Sequence, residues 1–210
     1  MKPRAPDPSD AYKKFMSSTI MDYEKWHDGI GYDLDAFKQM TPAEQARVVA
    51  ELKSKGSPDW RDVEVFEIAG TAEADAALRD ALDHGPPEAR VHAMQTLAEQ
   101  GRLADVDERL AKMLDRVSSF DGLDPALRMA EEHRGPKVKM ALLRGARSRP
   151  EVAVHYAAML YYYAGLAKEA FDWDHRPFFL RFGADTPPQD RKSAFLELCE
   201  KIGVDPQTVT

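Results

Sequence analysis

At Thr41-Pro42, Ser57-Pro58, Asp124-Pro125 and Thr186-Pro187 a helix-capping residue stands directly before proline at the head of a helical segment. A cap oxygen accepts from an orphan amide of the first turn, and proline at the first helical position gives up an N–H that lacks a partner there anyway. Glu44 and Gln189 follow three residues after the threonines, the spacing at which a side chain reaches back to the cap. Thr71 marks a further start, with Glu73 in its first turn, and Gly56, Gly70, Gly85, Gly101 and Gly165 close the intervening segments. Those segments run for roughly ten to eighteen residues and are rich in Ala, Leu, Glu and Arg. No Val/Ile/Thr run alternates with period two, so the pattern predicts an all-α chain without strands.

The expected helices cover residues 9–28, 33–39, 42–54, 58–69, 72–83, 87–100, 103–117, 124–132, 136–147, 150–164 and 187–202. Residues 1–8, with three prolines, read as a loose tail, and residues 166–186 as an irregular aromatic segment. A chain of 210 residues with 43% hydrophobic content has room for one domain with a sizeable core. Residues 1–56 would form an N-terminal helical cap, 57–165 a repeat region, and 166–210 the aromatic segment with a C-terminal capping helix. The start, MKPRAPDPSDAYKKFM, has no apolar signal-like run. Ala153–Ala167, about fifteen apolar residues, is too short to span a bilayer. The expectation is a soluble, cytoplasmic protein, monomeric when alone, with no membrane contact. Cys199, the single cysteine, has no partner for an internal disulfide and reads as a packing residue.

The chain also repeats. Pro87-Glu88-x-x-Val91-His92-Ala93-x-x-x-Leu97 returns as Pro150-Glu151-x-x-Val154-His155-Tyr156-x-x-x-Leu160, each copy preceded by another helical segment. Upstream, Asp59-Trp60-x-x-Val63-Glu64-x-x-x-x-Ala69 is a third copy. The offset fits stacked helix hairpins that bury their apolar faces only against neighbours. The motif following an Ala/Leu-rich helix resembles the HEAT-like helical repeat over residues 57–165. The unit from Leu103 to His133 departs from it, with Asp124-Pro125 in place of Pro-Glu and a longer VSSFDGL loop. The whole chain, including the YEKWHDGIGYDLD start and the DWDHRPFF end, also resembles compact bacterial HEAT-like proteins, some of which are immunity proteins against antibacterial toxins. The resemblance implies a helical-hairpin solenoid capped by helices at both ends. It also implies a protein-binding role: neutralising a cognate toxin by direct binding and occlusion. Two alternatives stand beside it, a DNA-repair glycosylase on the same fold and a structural adaptor in another bacterial complex.

Helical spacing sorts the repeat faces. In the segment 87–100, Ala89, Val91, Ala93, Met94, Leu97 and Ala98 take one side, while Glu88, His92, Gln95 and Glu99 take the other. The equivalent positions elsewhere are Trp60, Glu64 and Glu67 in one copy and Glu151, His155, Ala158 and Tyr162 in the other. These ten polar and aromatic residues, without Ala158, are the candidate partner-binding set. They are acidic and partly aromatic, which suits a basic protein partner such as a toxin domain. Trp60 either anchors that partner or packs against the preceding helix. Charge supports the first face: residues 57–133 carry eight basic and 18 acidic side chains.

That balance, within an overall net charge of −7, disfavours nucleic acid as a partner. The counter-signal is a run of six cations without an acid: Arg134, Lys137, Lys139, Arg144, Arg147 and Arg149. It either touches phosphates or pairs with acidic neighbours. Catalytic spacing is absent, with six scattered histidines, no metal-binding motif and no nucleophile motif, so the expectation is a non-enzyme without cofactor or metal. The densest polar cluster, Asp172-Trp173-Asp174-His175-Arg176, reads as a loop held by Asp–Arg and Asp–His contacts, with Trp173 and Phe178 packed inward.

Overall fold

The computed structural model describes residues 7–119 and 121–209. Among them there are thirteen α-helices and no strand, only isolated bridges from Ser118 to Asp121 and Gly122. The expected loose tail falls outside the described residues up to residue 6, as does Phe120 of the VSSFDGL loop. The chain forms two compact units that divide between Thr96 and Leu97.

The first unit contains α1 (Asp10–Ser18), α2 (Tyr23–His27), α3 (Leu34–Lys38), α4 (Pro42–Ser54), α5 (Trp60–Ala69), α6 (Ala72–His84) and most of α7 (Pro87–Glu99). The Thr41 capping box forms as expected: its hydroxyl accepts from Glu44 N, and Glu44 reaches back to Thr41 N at 3.0 Å. Glu44 also accepts from Ser9 N at 2.8 Å, so one carboxylate serves the starts of two helices. Those two amides hold its pKa down at about 2. Phe15, Phe37, Val48, Phe66, Leu78 and Met94 are fully buried, and Phe15 meets Phe37 and Tyr32 with ring centroids 5.6 and 5.8 Å apart. On α7, Ala89, Val91, Ala93 and Met94 are buried as the spacing requires.

The second unit contains α8 (Val106–Leu114), α9 (Leu123–Glu132), α10 (Pro136–Ser148), α11 (Pro150–Tyr163), α12 (Arg176–Phe179) and α13 (Pro188–Lys201), with short 3-10 turns around and after α12. Helices α10 and α11 meet so closely at Gly145 that a Cβ there would lie 2.3 Å from the Tyr156 ring. Tyr156 is wholly buried and donates to Leu114 O at 2.6 Å. Helix α10 has no side-chain cap of its own. Asp107 of α8 supplies one, accepting from Lys137 N and Val138 N at 3.2 and 3.0 Å. Leu97, Leu160 and Cys199, which belong to this unit, are buried.

Several expectations are corrected. The helix expected over 9–28 is broken in two, because the Ser18 and Thr19 hydroxyls donate back to Phe15 O and Met16 O and compete with the next helical turn. Asp22 then caps a new helix by accepting from Lys25 N. Asp59, not Ser57, caps α5. Helix α9 starts at Leu123, after Gly122 in the left-handed conformation, and Asp124 instead pairs with Arg128 at 2.8 Å. The Thr186 box does not form: its hydroxyl donates to Leu180 O, and Pro187 occupies the cap position. Trp173 does not pack inward. It is 66% exposed, with the Arg176 guanidinium over its ring at 4.7 Å.

Candidate functional site

The start of α5 carries two charged side chains into the interior. Asp62 is 1% exposed and Arg61 3%. Each is fully occupied, as buried charge requires. Asp62 Oδ2 accepts from Asp59 N at 2.9 Å, completing a capping box, and Oδ1 accepts from the Tyr32 hydroxyl and the Lys55 ammonium, both at 3.1 Å. Arg61 Nε donates to Ile30 O at 2.7 Å, and its Nη1 reaches the Asp59 carboxylate. Two consecutive side chains of one helix therefore strap down the loop between α2 and α3. Burial and the neighbouring Asp62 carboxylate push the Tyr32 hydroxyl well above its usual pKa, so it stays a donor.

With Arg61 and Asp62 turned inward, Trp60, Glu64 and Glu67 occupy the opposite side of α5. The Trp60 ring stacks on His92 of α7, centroids 5.6 Å apart and 26° from parallel, and the Arg61 guanidinium lies over the same ring at 4.4 Å. Glu67 is exposed and accepts from the Thr96 hydroxyl at 3.4 Å. Glu64 is half-buried, and burial followed by the nearby Glu67 charge raises its pKa above the ordinary carboxylate value. The first two repeat copies thus meet in one acidic and aromatic ledge. Glu88 and Gln95 continue the α7 face on either side of His92, Glu88 exposed and Gln95 half-buried.

Glu99 is exposed at the end of α7, in the second unit. The third copy has local partners in that same unit. Glu151 pairs with Arg149 at 2.9 Å, His155 lies against Phe171 at 5.6 Å, and Tyr162 sits under the Arg134 guanidinium at 4.4 Å. Burial lowers the His155 pKa, which favours the neutral ring.

Within the run of six cations, Arg134, Lys137, Arg144, Arg147 and Arg149 answer to acidic neighbours or carbonyls. Lys137 pairs with Glu108 at 2.9 Å and Arg144 with Asp115 at 2.7 Å, while Arg149 also donates to Leu114 O and Val117 O. Arg147 donates to Val209 O and borders a groove of about 620 Å³ with Arg191, Lys192, Phe195 and Leu196. The Asp172 cluster is pinned differently from the expectation. Its carboxylate accepts from the backbone amides of Lys168 and Asp174, not from Arg176. Burial raises the Cys199 thiol pKa, which keeps it protonated. Among the described residues, no three His, Cys, Asp or Glu are grouped to hold a metal ion. No helix there is long and apolar enough to cross a membrane.

Sequence spacing missed one surface. Ile20, Tyr23, Trp26 and Ile30 are 68, 72, 64 and 47% exposed, all within or beside the short α2. Tyr23 lies 6.1 Å from Trp26 and 5.8 Å from His27, centroid to centroid. The available signal was the pairing of aromatics three residues apart with a Gly-x-Gly just after them, in Tyr23-Glu24-Lys25-Trp26-His27-Asp28-Gly29-Ile30-Gly31. Such a turn cannot extend the preceding helix.

Compared with known proteins, the chain matches no family model, no curated protein and no solved structure. Its reading therefore rests on this geometry.

Proposed function

We propose that this protein is a protein-binding module that neutralises a cognate antibacterial toxin by direct occlusion, with the α5–α7 ledge covering a basic surface of its partner. The reading adopts the HEAT-like solenoid with helical caps that the repeat motif implies. The observation that carries it is the meeting of Trp60, Glu64 and Glu67 with His92 and Thr96. Glu64 is the telling member. It is half-buried beside a second carboxylate, and the nearest guanidinium, Arg61, already serves Asp59 and Ile30. A cation delivered by a partner would relieve that repulsion, which ties the charge of the free protein to the affinity of the complex. The glycosylase alternative loses support from the pairing of Lys137, Arg144 and Arg149 with carboxylates, since those charges are engaged before any phosphate arrives.

The test is to identify the neighbouring genes and coexpress this protein with any toxin that they encode, followed by isolation of the complex. A stoichiometric complex and restored growth are expected. Glu64→Lys with Glu67→Lys should slow association and lose the rescue while melting remains cooperative. Rescue that survives both reversals, or a toxin that does not bind the protein, would refute the reading.

A further inference from the structure

The Trp60 ring is ill placed to anchor a partner, because His92 stacks on it and Arg61 lies over it. The exposed aromatics lie elsewhere, on α2. Their position relative to the ledge is fixed by the chain itself. Ile30 N donates to Lys25 O at 2.9 Å, closing the turn after α2 around Gly29, whose φ is +63°. Ile30 O is then held by Arg61, and a Cβ on Gly31 would lie 3.4 Å from Glu64 Oε2 and 3.7 Å from the Trp60 ring. Five residues therefore separate the Trp26 ring from the Glu64 carboxylate, across a loop strapped at both Ile30 and Tyr32.

We propose that α2 and the ledge are two halves of one docking surface, and that its occupant is a cationic segment of a protein partner, with Arg or Lys beside large apolar side chains. This rests on the acidic-face reading and deepens it. Charge complementarity selects the occupant. Along residues 20–31 the acids Asp22, Glu24 and Asp28 face a single lysine, Lys25, whose ammonium is already tied to Ile20 O at 2.9 Å. Exposed Tyr and Trp faces attract guanidinium and ammonium groups, and the same rings bury apolar area at small entropic cost. Ile20 and Ile30 supply exposed aliphatic surface before and after α2, and Glu64 and Glu67 supply charge on α5. An acidic segment or a nucleic acid meets the wrong sign at both halves.

Selection of a phage-displayed random peptide library against the full-length protein tests this without an identified partner. Enriched peptides should combine Arg or Lys with Leu, Phe or Trp, and their synthetic forms should bind in fluorescence anisotropy. Tyr23→Ala with Trp26→Ala should weaken them by about tenfold or more. Glu64→Gln with Glu67→Gln should weaken them less and flatten the salt dependence. All four side chains are exposed or half-buried, so each variant should keep the wild-type circular dichroism spectrum and melt cooperatively. Peptides that survive loss of the aromatics but need the two glutamates would overturn this inference and leave the acidic face standing. Peptides indifferent to both pairs would overturn both. No enrichment, or enrichment of acidic peptides, would also refute the inference.

Discussion

Asp62→Ala is the substitution that most directly tests how the site is held. The aspartate is buried and accepts from three donors. Losing the capping contact to Asp59 N costs about 1 kcal/mol. The Tyr32 hydroxyl, 9% exposed as a residue, would be left without its acceptor, at about 1–3 kcal/mol. The Lys55 side chain is 44% exposed and can return to water, so its ion pair adds only about 0.5 kcal/mol. Together these predict a loss of about 3 kcal/mol, or roughly 12–24 °C in the melting of the first unit. Urea unfolding followed by tryptophan fluorescence and circular dichroism measures it. Tyr32→Phe alone should cost about 1 kcal/mol, and the double variant should cost less than the sum, because both changes remove the same hydrogen bond. An Asp62→Ala loss below about 1 kcal/mol, or strict additivity with Tyr32→Phe, would refute the strap. A wild-type stability with lost peptide binding would place Asp62 in the interface instead.

Leu97→Ala and Leu160→Ala, both at fully buried positions, should each cost about 2–5 kcal/mol in urea unfolding, whereas Glu88→Ala and Glu99→Ala should stay within about 0.5 kcal/mol. Glu64→Gln should stabilise the free protein at neutral pH. A carboxyl whose folded pKa is raised favours folding below its unfolded pKa and loses that contribution as pH rises through the folded value, so the gain over wild type should vanish in acid. Glu44 and Glu108 work in the opposite direction. Both are held at about 2 in the fold, so the stability each contributes is complete above about pH 4.5 and is lost as pH falls toward 2. Thermal melts across that window should show the acid limb shrink in Glu44→Gln and in Glu108→Gln.

Where one side chain and its immediate neighbours decide the outcome, the sequence was readable. Thr41 and Glu44 form their box, Thr71 caps α6 by accepting from Ala74 N, and the phase of α7 follows from its apolar spacing. Where two local options compete, spacing alone did not decide. Ser18 and Thr19 fit a helix by periodicity, yet their hydroxyls end α1. Thr186 and Asp124 look like caps, but one finds Leu180 O and the other Arg128. The ledge was visible as a stripe, because equivalent repeat positions carry it. The aromatic surface of α2 was hidden inside an expected helix, and its exposure depends on the break that the Ser18 and Thr19 hydroxyls set. Trp60 shows the same limit: its type left open an anchor or a ring packed against the preceding helix, and it is Arg61 and His92 of α7 that cover the ring.

The capping of α10 by Asp107 has a consequence for the order in which the second unit forms. The donors are backbone amides 30 and 31 positions further along the chain, so the first turn of α10 has no satisfied start until α8 has docked. Gly135 leaves the space for this, since a Cβ there would fall 1.9 Å from the Asp107 carboxylate. Native-state hydrogen exchange should therefore find the amides of Lys137 and Val138 opening together with α8 rather than fraying as a separate helix end. The two helices, separate in sequence, should then open as one cooperative element.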